Sequence, residues 1–135
     1  PRDGGNILVT VGGSEMKTRI LPLVHGLKSL AYNIFATEHT AKYLADNGVR
    51  DVTELHKMNE PERKPNLQDF LISRDVDLII NIPAATVLEK YSQMLEDEYL
   101  IRRKAVELGI PVLTTYETAK AFETALKWQF NRKLS

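Results

Sequence analysis

Thr37 and Thr40 stand three residues apart in the run Ala36-Thr37-Glu38-His39-Thr40, where a strand-like stretch, Tyr32-Asn33-Ile34-Phe35, gives way to a helix-like one. Two hydroxyls beside the free N–H groups of a helix start can cradle an anion, either a phosphate or a carboxylate. The same hydroxyls can instead cap the helix. His39, between them, can add a donor to a bound anion. The chemistry this junction offers is therefore recognition of a negative group.

Other chemistries find little support. The chain holds no cysteine, which excludes disulfides, a thiolate nucleophile and cysteine metal ligands. Its three histidines, His25, His39 and His56, lack metal-ligand spacing. Lys+Arg and Asp+Glu both number 18, so the formal net charge is zero and bulk charge points to neither nucleic acid nor a membrane surface. No apolar run approaches the ~18 residues that a membrane-spanning helix needs. A length of 135 residues with 43% hydrophobic and 27% charged residues fits one globular domain with its own core. Residues 1–6 carry no initiator Met and no signal-peptide pattern, and are expected to be a linker remnant of a longer protein. Residues 7–130 would be the domain and 131–135 a tail.

The junction needs elements to position it. Ile7-Leu8-Val9-Thr10-Val11, ended by Gly12-Gly13, predicts a buried strand. Apolar residues at Ile20, Leu23, Val24, Leu27 and Leu30 predict a helix over about 15–30, with Pro22 marking a late start or a kink. A second strand covers 32–36 and a second helix 40–47, stopped by Gly48. Strands follow at 52–55, 76–82 and 110–115, and helices at 67–72, 98–108 and 116–130. The segment 56–65, with two prolines and mixed charge, predicts a loop. The register of 84–95 is open. Trp128 and Phe130 are expected in the core or at a domain contact.

Strands that are continuous apolar runs, alternating with helices, predict a mostly parallel five-stranded sheet between two helical layers, an α/β three-layer sandwich. Ligands in such sheets bind beyond the carboxyl ends of the strands. Thr37, Asn81 and Thr114-Thr115 fall at such ends, so they are expected to ring one crevice.

Four ordered segments then carry a likeness. Phe35-Ala36-Thr37-Glu38-His39-Thr40-Ala41, Val76-Asp77-Leu78-Ile79-Ile80-Asn81, Tyr99-Leu100-Ile101-Arg102-Arg103-Lys104-Ala105 and Gly109-Ile110-Pro111-Val112-Leu113-Thr114-Thr115 resemble the methylglyoxal-synthase-like domain. The resemblance spans roughly Ile7 to Trp128. It is strongest to the C-terminal allosteric domain of the carbamoyl-phosphate synthetase large chain, through Ile101-Arg102-Arg103 and the approach to Pro65-Asn66-Leu67-Gln68-Asp69.

The resemblance implies binding rather than catalysis. Family lyases carry their aspartate base in a glycine-rich loop after the third strand. Here that loop, Asn59-Glu60-Pro61-Glu62-Arg63-Lys64-Pro65, has neither glycine nor aspartate, and Glu60 and Glu62 are expected to be solvated. The family histidine after the fourth strand has no counterpart in Pro83–Glu96. No catalytic residue, cofactor or metal is therefore expected in this domain. ATP and Mg or Mn would belong to the parent's ligase domains, which would also be its partners.

The effector positions implied are Lys17, Thr37, Thr40, Lys57 and Asn81, with His39, Thr114 and Thr115 as further candidates. Arg102 and Arg103 are assigned a structural or interdomain role, pairing with Glu98 or Glu107, against the alternative of a phosphate clamp. Ile82 and Pro83 replace two threonines of the bacterial nucleotide-binding pattern. Ala84 and Ala85 replace asparagine of the ammonia-dependent, N-acetylglutamate-responsive type. The implied effector is thus UMP, IMP or an N-acetylglutamate-like acid, in a protein of the cytoplasm or the mitochondrial matrix that makes carbamoyl phosphate for pyrimidine or arginine biosynthesis. A free-standing methylglyoxal synthase and an interaction module with an empty crevice are the alternatives.

Overall fold

The computed structural model of the chain describes residues 4–84 and 94–134. Most of the segment whose register the sequence leaves open lies outside them.

Five strands form one all-parallel sheet: β1 (Asn6–Val11), β2 (Asn33–Thr37), β3 (Val52–Leu55), β4 (Leu78–Ile82) and β5 (Val112–Leu113), in the order β3-β2-β1-β4-β5. The helices among the described residues are α1 (Ser14–Ser29), α2 (Glu38–Asp46), α3 (Leu67–Ser73), α4 (Met94–Leu108) and α5 (Tyr116–Leu134).

Alternation along the strands sorts side chains to two faces. Ile7, Val9 and Val11 of β1, with Leu78, Ile80 and Ile82 of β4, pack with Leu23, Val24 and Leu27 of α1, Leu44 of α2 and Leu126 of α5. On the other face, Leu8 of β1 and Ile79 of β4 meet Leu67 and Leu71 of α3 and Ile101 and Ala105 of α4. Both faces of the central strands are therefore covered, which is why those strands read as unbroken apolar runs. Phe35 and Phe70 stack with ring centroids 4.3 Å apart, tying β2 to α3.

Several boundaries differ from the expected ones. The N-terminal part of the expected 76–82 strand is a polar clamp. Asp77 donates its N–H to the Asn6 carbonyl and accepts the Asn6 N–H through Oδ2, both at 2.8 Å. β5 is two residues long because it is an edge strand that pairs with β4 alone. Pro111 has no N–H, and its carbonyl serves the Ile79 N–H at 2.9 Å. Helix α1 starts at Ser14, well ahead of Pro22, which lies within it. Trp128 and Phe130 are 59% and 37% exposed, so neither is a core residue of this domain. On α5 the inward positions are Ala119, Glu123 and Leu126, which leaves Trp128 on the outer side.

Candidate functional site

The carboxyl ends of β1, β2 and β3 open into a narrow crevice of about 20 Å³. Its polar walls are Thr10, Thr37, Glu38, His39, Lys57 and Glu98, and its apolar floor is Leu55 and Leu67. Each strand end delivers one part. β1 brings Thr10, the one polar residue in the run Ile7-Leu8-Val9-Thr10-Val11. β2 brings Thr37, and the start of α2 adds Glu38 and His39.

Thr37 holds the N-cap position of α2 with extended backbone, φ −73° and ψ 163°, but its side chain makes no capping hydrogen bond. Its hydroxyl instead donates to Thr10 Oγ1 at 3.4 Å, at the crevice wall. The two threonines of the opening motif therefore divide their work. Thr40 is fully buried, accepts the Val11 N–H at 3.2 Å and donates to the Val11 carbonyl at 3.5 Å. That bond fastens α2 to the end of β1, and Thr40 is not a wall residue.

Lys57 follows β3, is half-buried as a residue, and has no ion-pair partner among the described residues. Its backbone is held by Asn66, whose Nδ2 donates to the Lys57 carbonyl at 2.8 Å and to the Glu60 carbonyl at 3.0 Å. The same Asn66 caps α3 by accepting the Gln68 N–H at 2.9 Å. The segment after β3 is thus a tied loop rather than a loose one. Arg63 crosses it, donating to Glu60 at 3.0 Å and to Glu38 at 3.3 Å. The hydrogen bond to Glu60 raises the Arg63 pKa further above its already high value. The charges of Glu60, Glu38 and Glu54 add to this, and partial burial opposes it.

His56 Nδ1 lies 3.5 Å from Glu38 and 3.6 Å from Glu54. One donor atom from each of these three residues falls within 4.8 Å of the others, a set that could ligate a cation. Arg63 already supplies positive charge to Glu38 there, which accounts for the cluster without a metal.

Glu98 of α4 forms the opposite wall and is 3% exposed. A Cβ added to Gly12 would lie 2.7 Å from Glu98 Oε1 and 2.8 Å from the Ala84 nitrogen. The absence of a side chain at Gly12 is what admits the carboxylate. Asn81, opposite Thr10 in the ladder, is wholly buried and donates from Nδ2 to the Glu98 carbonyl at 3.1 Å. Its Oδ1 has no hydrogen-bond partner among the described residues.

The crevice therefore unites Thr37, His39 and Lys57. Asn81 stands behind the wall, and Lys17, on the first turn of α1, is not a lining residue. Thr114 and Thr115 are exposed, and Thr115 caps α5 by accepting the Thr118 N–H at 3.1 Å. Arg103 pairs with Glu107 at 3.7 Å, and Arg102 lies with it on the outer side of α4 beside Tyr99 and Val106. Thr10, Glu38 and Glu98 were not singled out as wall residues from sequence. Thr10 carried a signal, as a lone hydroxyl in an apolar strand; Glu98 carried none, because a glutamate on a helix ordinarily faces water.

A family model for the MGS-like domain matches residues 19–114, from the first helix to the end of the last strand. The chain belongs to the MGS-like domain family. It is 34% identical over 131 residues to the carbamoyl phosphate synthase large chain of Clostridium botulinum (strain Alaska E43 / Type E3), covering 97% of this chain and 11% of that protein. It is 34% identical over 123 residues to the large chain from Methanothermobacter thermautotrophicus, covering 91% of this chain and 11% of that protein. With the multifunctional protein pyr1-3 of Dictyostelium discoideum, identity is 30% over 123 residues, covering 91% of this chain and 6% of that one. This MGS-like domain spans about a tenth or less of the length of these curated relatives. Its five parallel strands in the order 3-2-1-4-5 agree with the family's α/β fold. Among the described residues, no helix is long and apolar enough to cross a membrane.

Proposed function

We propose that this MGS-like domain is the effector-binding, regulatory part of a carbamoyl phosphate synthase large chain. The parent would use ATP, with Mg or Mn, in its other domains, and those ligase domains would be the partners that feel the effector. The observation that carries this reading is the pairing of Thr37 with Lys57. A hydroxyl released from capping and the half-buried residue Lys57, which has no ion pair among the described residues, line one crevice at the carboxyl edge of a parallel sheet. A resident small molecule with an anionic group would pair with Lys57 and take the Thr37 hydroxyl's donor bond in place of Thr10. The loop after β3 offers no glycine and two prolines, so it cannot wrap a phosphate in backbone N–H groups as a lyase loop would. Binding without turnover fits this composition.

Calorimetry with UMP, IMP, ornithine and N-acetylglutamate tests the proposal. One of them should bind, and Lys57→Met should weaken it about tenfold or more, as expected for loss of a charge-assisted contact. Silence from the whole panel would overturn the effector reading. So would phosphate release from dihydroxyacetone phosphate, which would make the domain a lyase.

A further inference from the structure

On α5, the residues Glu117, Ala121, Thr124, Ala125, Trp128 and Arg132 are all exposed. At 3.6 residues per turn they fall within an arc of about 100°, on the side of the helix away from the buried Ala119, Glu123 and Leu126. This outer stripe presents an indole, Trp128, that is 59% exposed. A tryptophan left in water is costly, and the same residue is the one most enriched at the centres of protein interfaces. Beside it the stripe is small: Ala121, Thr124 and Ala125 line a shallow groove with Trp128 towards one end and Tyr116 and Arg19 towards the other. One helix face thus carries both a knob and a hole.

The order of these residues is self-complementary. Ala121 and Trp128 are equidistant from the midpoint between Thr124 and Ala125, and so are Glu117 and Arg132. A second copy of α5, laid antiparallel across that midpoint, therefore sets each Trp128 over the other copy's Ala121 and each Arg132 beside the other copy's Glu117. The small residues at the centre let the two helix axes approach to about 8 Å. The charged ends are already arranged for this. The Arg132 guanidinium lies 4.8 Å over its own Trp128 ring, so the indole carries a cation with it to the second copy. Glu117 is steadied by Arg19 at 3.7 Å, and Arg19 in turn lies 4.1 Å over the Tyr116 ring.

We propose that the outer face of α5 is a self-association surface whose occupant is a second copy of this chain, packed as a two-fold antiparallel helix pair. Such a pair is isologous, so every contact occurs twice: two indoles buried on alanines and two Glu117–Arg132 ion pairs. The crevice at the carboxyl ends of the strands plays no part in it, and the proposal is independent of the effector-binding reading.

Sedimentation equilibrium from about 5 μM to about 1 mM tests the association, with a monomer–dimer equilibrium expected within that range. Trp128 is the chain's single tryptophan, so its emission reports on this face alone. It should shift to shorter wavelength as the dimer forms, with the same midpoint as sedimentation. Trp128→Ala should weaken the dimer at least about thirtyfold. Glu117→Lys and Arg132→Glu should each weaken it about tenfold or more, because each sets like charges opposite one another. An equimolar mixture of those two variants should dimerise again, since every charged contact between unlike chains is then a pair of opposite signs. Should a variant fail to fold, the concentration dependence of emission in the unaltered protein still decides. A monomer at every concentration overturns the proposal and assigns this face to some other occupant, such as the remainder of the parent chain. So does a dimer in which Trp128 emission stays at its exposed wavelength, or one that the folded Trp128→Ala variant forms as tightly. Failure of the two charge variants to associate when mixed, each being folded, overturns the antiparallel pairing.

Discussion

Gly26 of α1 lies directly against the carboxylate of Glu123 on α5. A Cβ at Gly26 would fall 1.7 Å from Glu123 Oε2, inside any permitted contact. Glu123 is fully buried, and its charge is met by Lys120 Nζ at 2.9 Å and Lys127 Nζ at 3.0 Å, from one turn before and one turn after. The two helices approach closely only because one supplies a glycine and the other encloses its own acid between two lysines. Gly26→Ala should therefore destabilise the fold by about 1–3 kcal/mol through overpacking, even though alanine is the better helix former. Urea denaturation measures it; an unchanged midpoint would show that α1 and α5 can slide apart freely.

The same acid gives stability an alkaline limb. Lys120 has its pKa raised, first by the hydrogen bond to Glu123 and then by that carboxylate's charge, with desolvation opposing. A raised folded-state value means that the pair's contribution is complete below the ordinary lysine value. It is lost as pH rises through the folded value. Stability should therefore fall as pH rises above about 10.5, the ordinary lysine value. Lys120→Met should flatten that fall. An identical alkaline slope in the variant would mean that other groups control it.

Thr37 and Thr40 should respond differently to the same substitution. Thr40→Val keeps the shape but strands the Val11 N–H in the core, at a cost of about 1–3 kcal/mol. Thr40→Ser should recover most of the loss. Thr37→Val removes a hydroxyl that makes no cap bond, so the melting temperature should hardly move while effector affinity falls. Thermal melts and calorimetry on the pair distinguish the roles; equal destabilisation would contradict the division of labour between the two threonines.

Asn66 is a positioning residue for Lys57. Asn66→Asp keeps an acceptor for the Gln68 N–H and loses the amide donors to the Lys57 and Glu60 carbonyls. The cap of α3 should survive, and affinity for the bound effector should drop because Lys57 is no longer held over the crevice. Asn66→Ala loses both functions and should cost about 2 kcal/mol of stability as well. If Asn66→Asp binds the effector normally, the loop is held by other contacts.

Much of the architecture is written in the local sequence. Apolar runs such as Ile7–Val11 and Leu78–Ile82 specify strands buried on both faces, and their alternation with helical periodicities specifies a parallel sheet. The junction at Thr37 could be located as a strand's carboxyl end, because that depends only on where one periodicity stops and another begins. The likeness of four segments to the MGS-like domain was also legible, since it resides in residue types and order. Trp128 shows the limit of such reading, because size and apolarity alone suggest a core position that the facing of α5 does not provide.

Tertiary structure decided which of those residues meet. Whether Thr37 or Thr40 faces the crevice depends on the angle at which α2 leaves β2. That angle is set by the Thr40 bond to Val11, 29 residues away in sequence. Glu98 became a wall residue only because α4 packs across the end of β4 against a glycine turn. Lys57 gained its place through Asn66, nine residues on. Contacts between distant residues have no local periodicity to announce them, so the sequence by itself determined the sheet and the family. The fold alone determined that a cation and a buried carboxylate stand on opposite walls of one crevice.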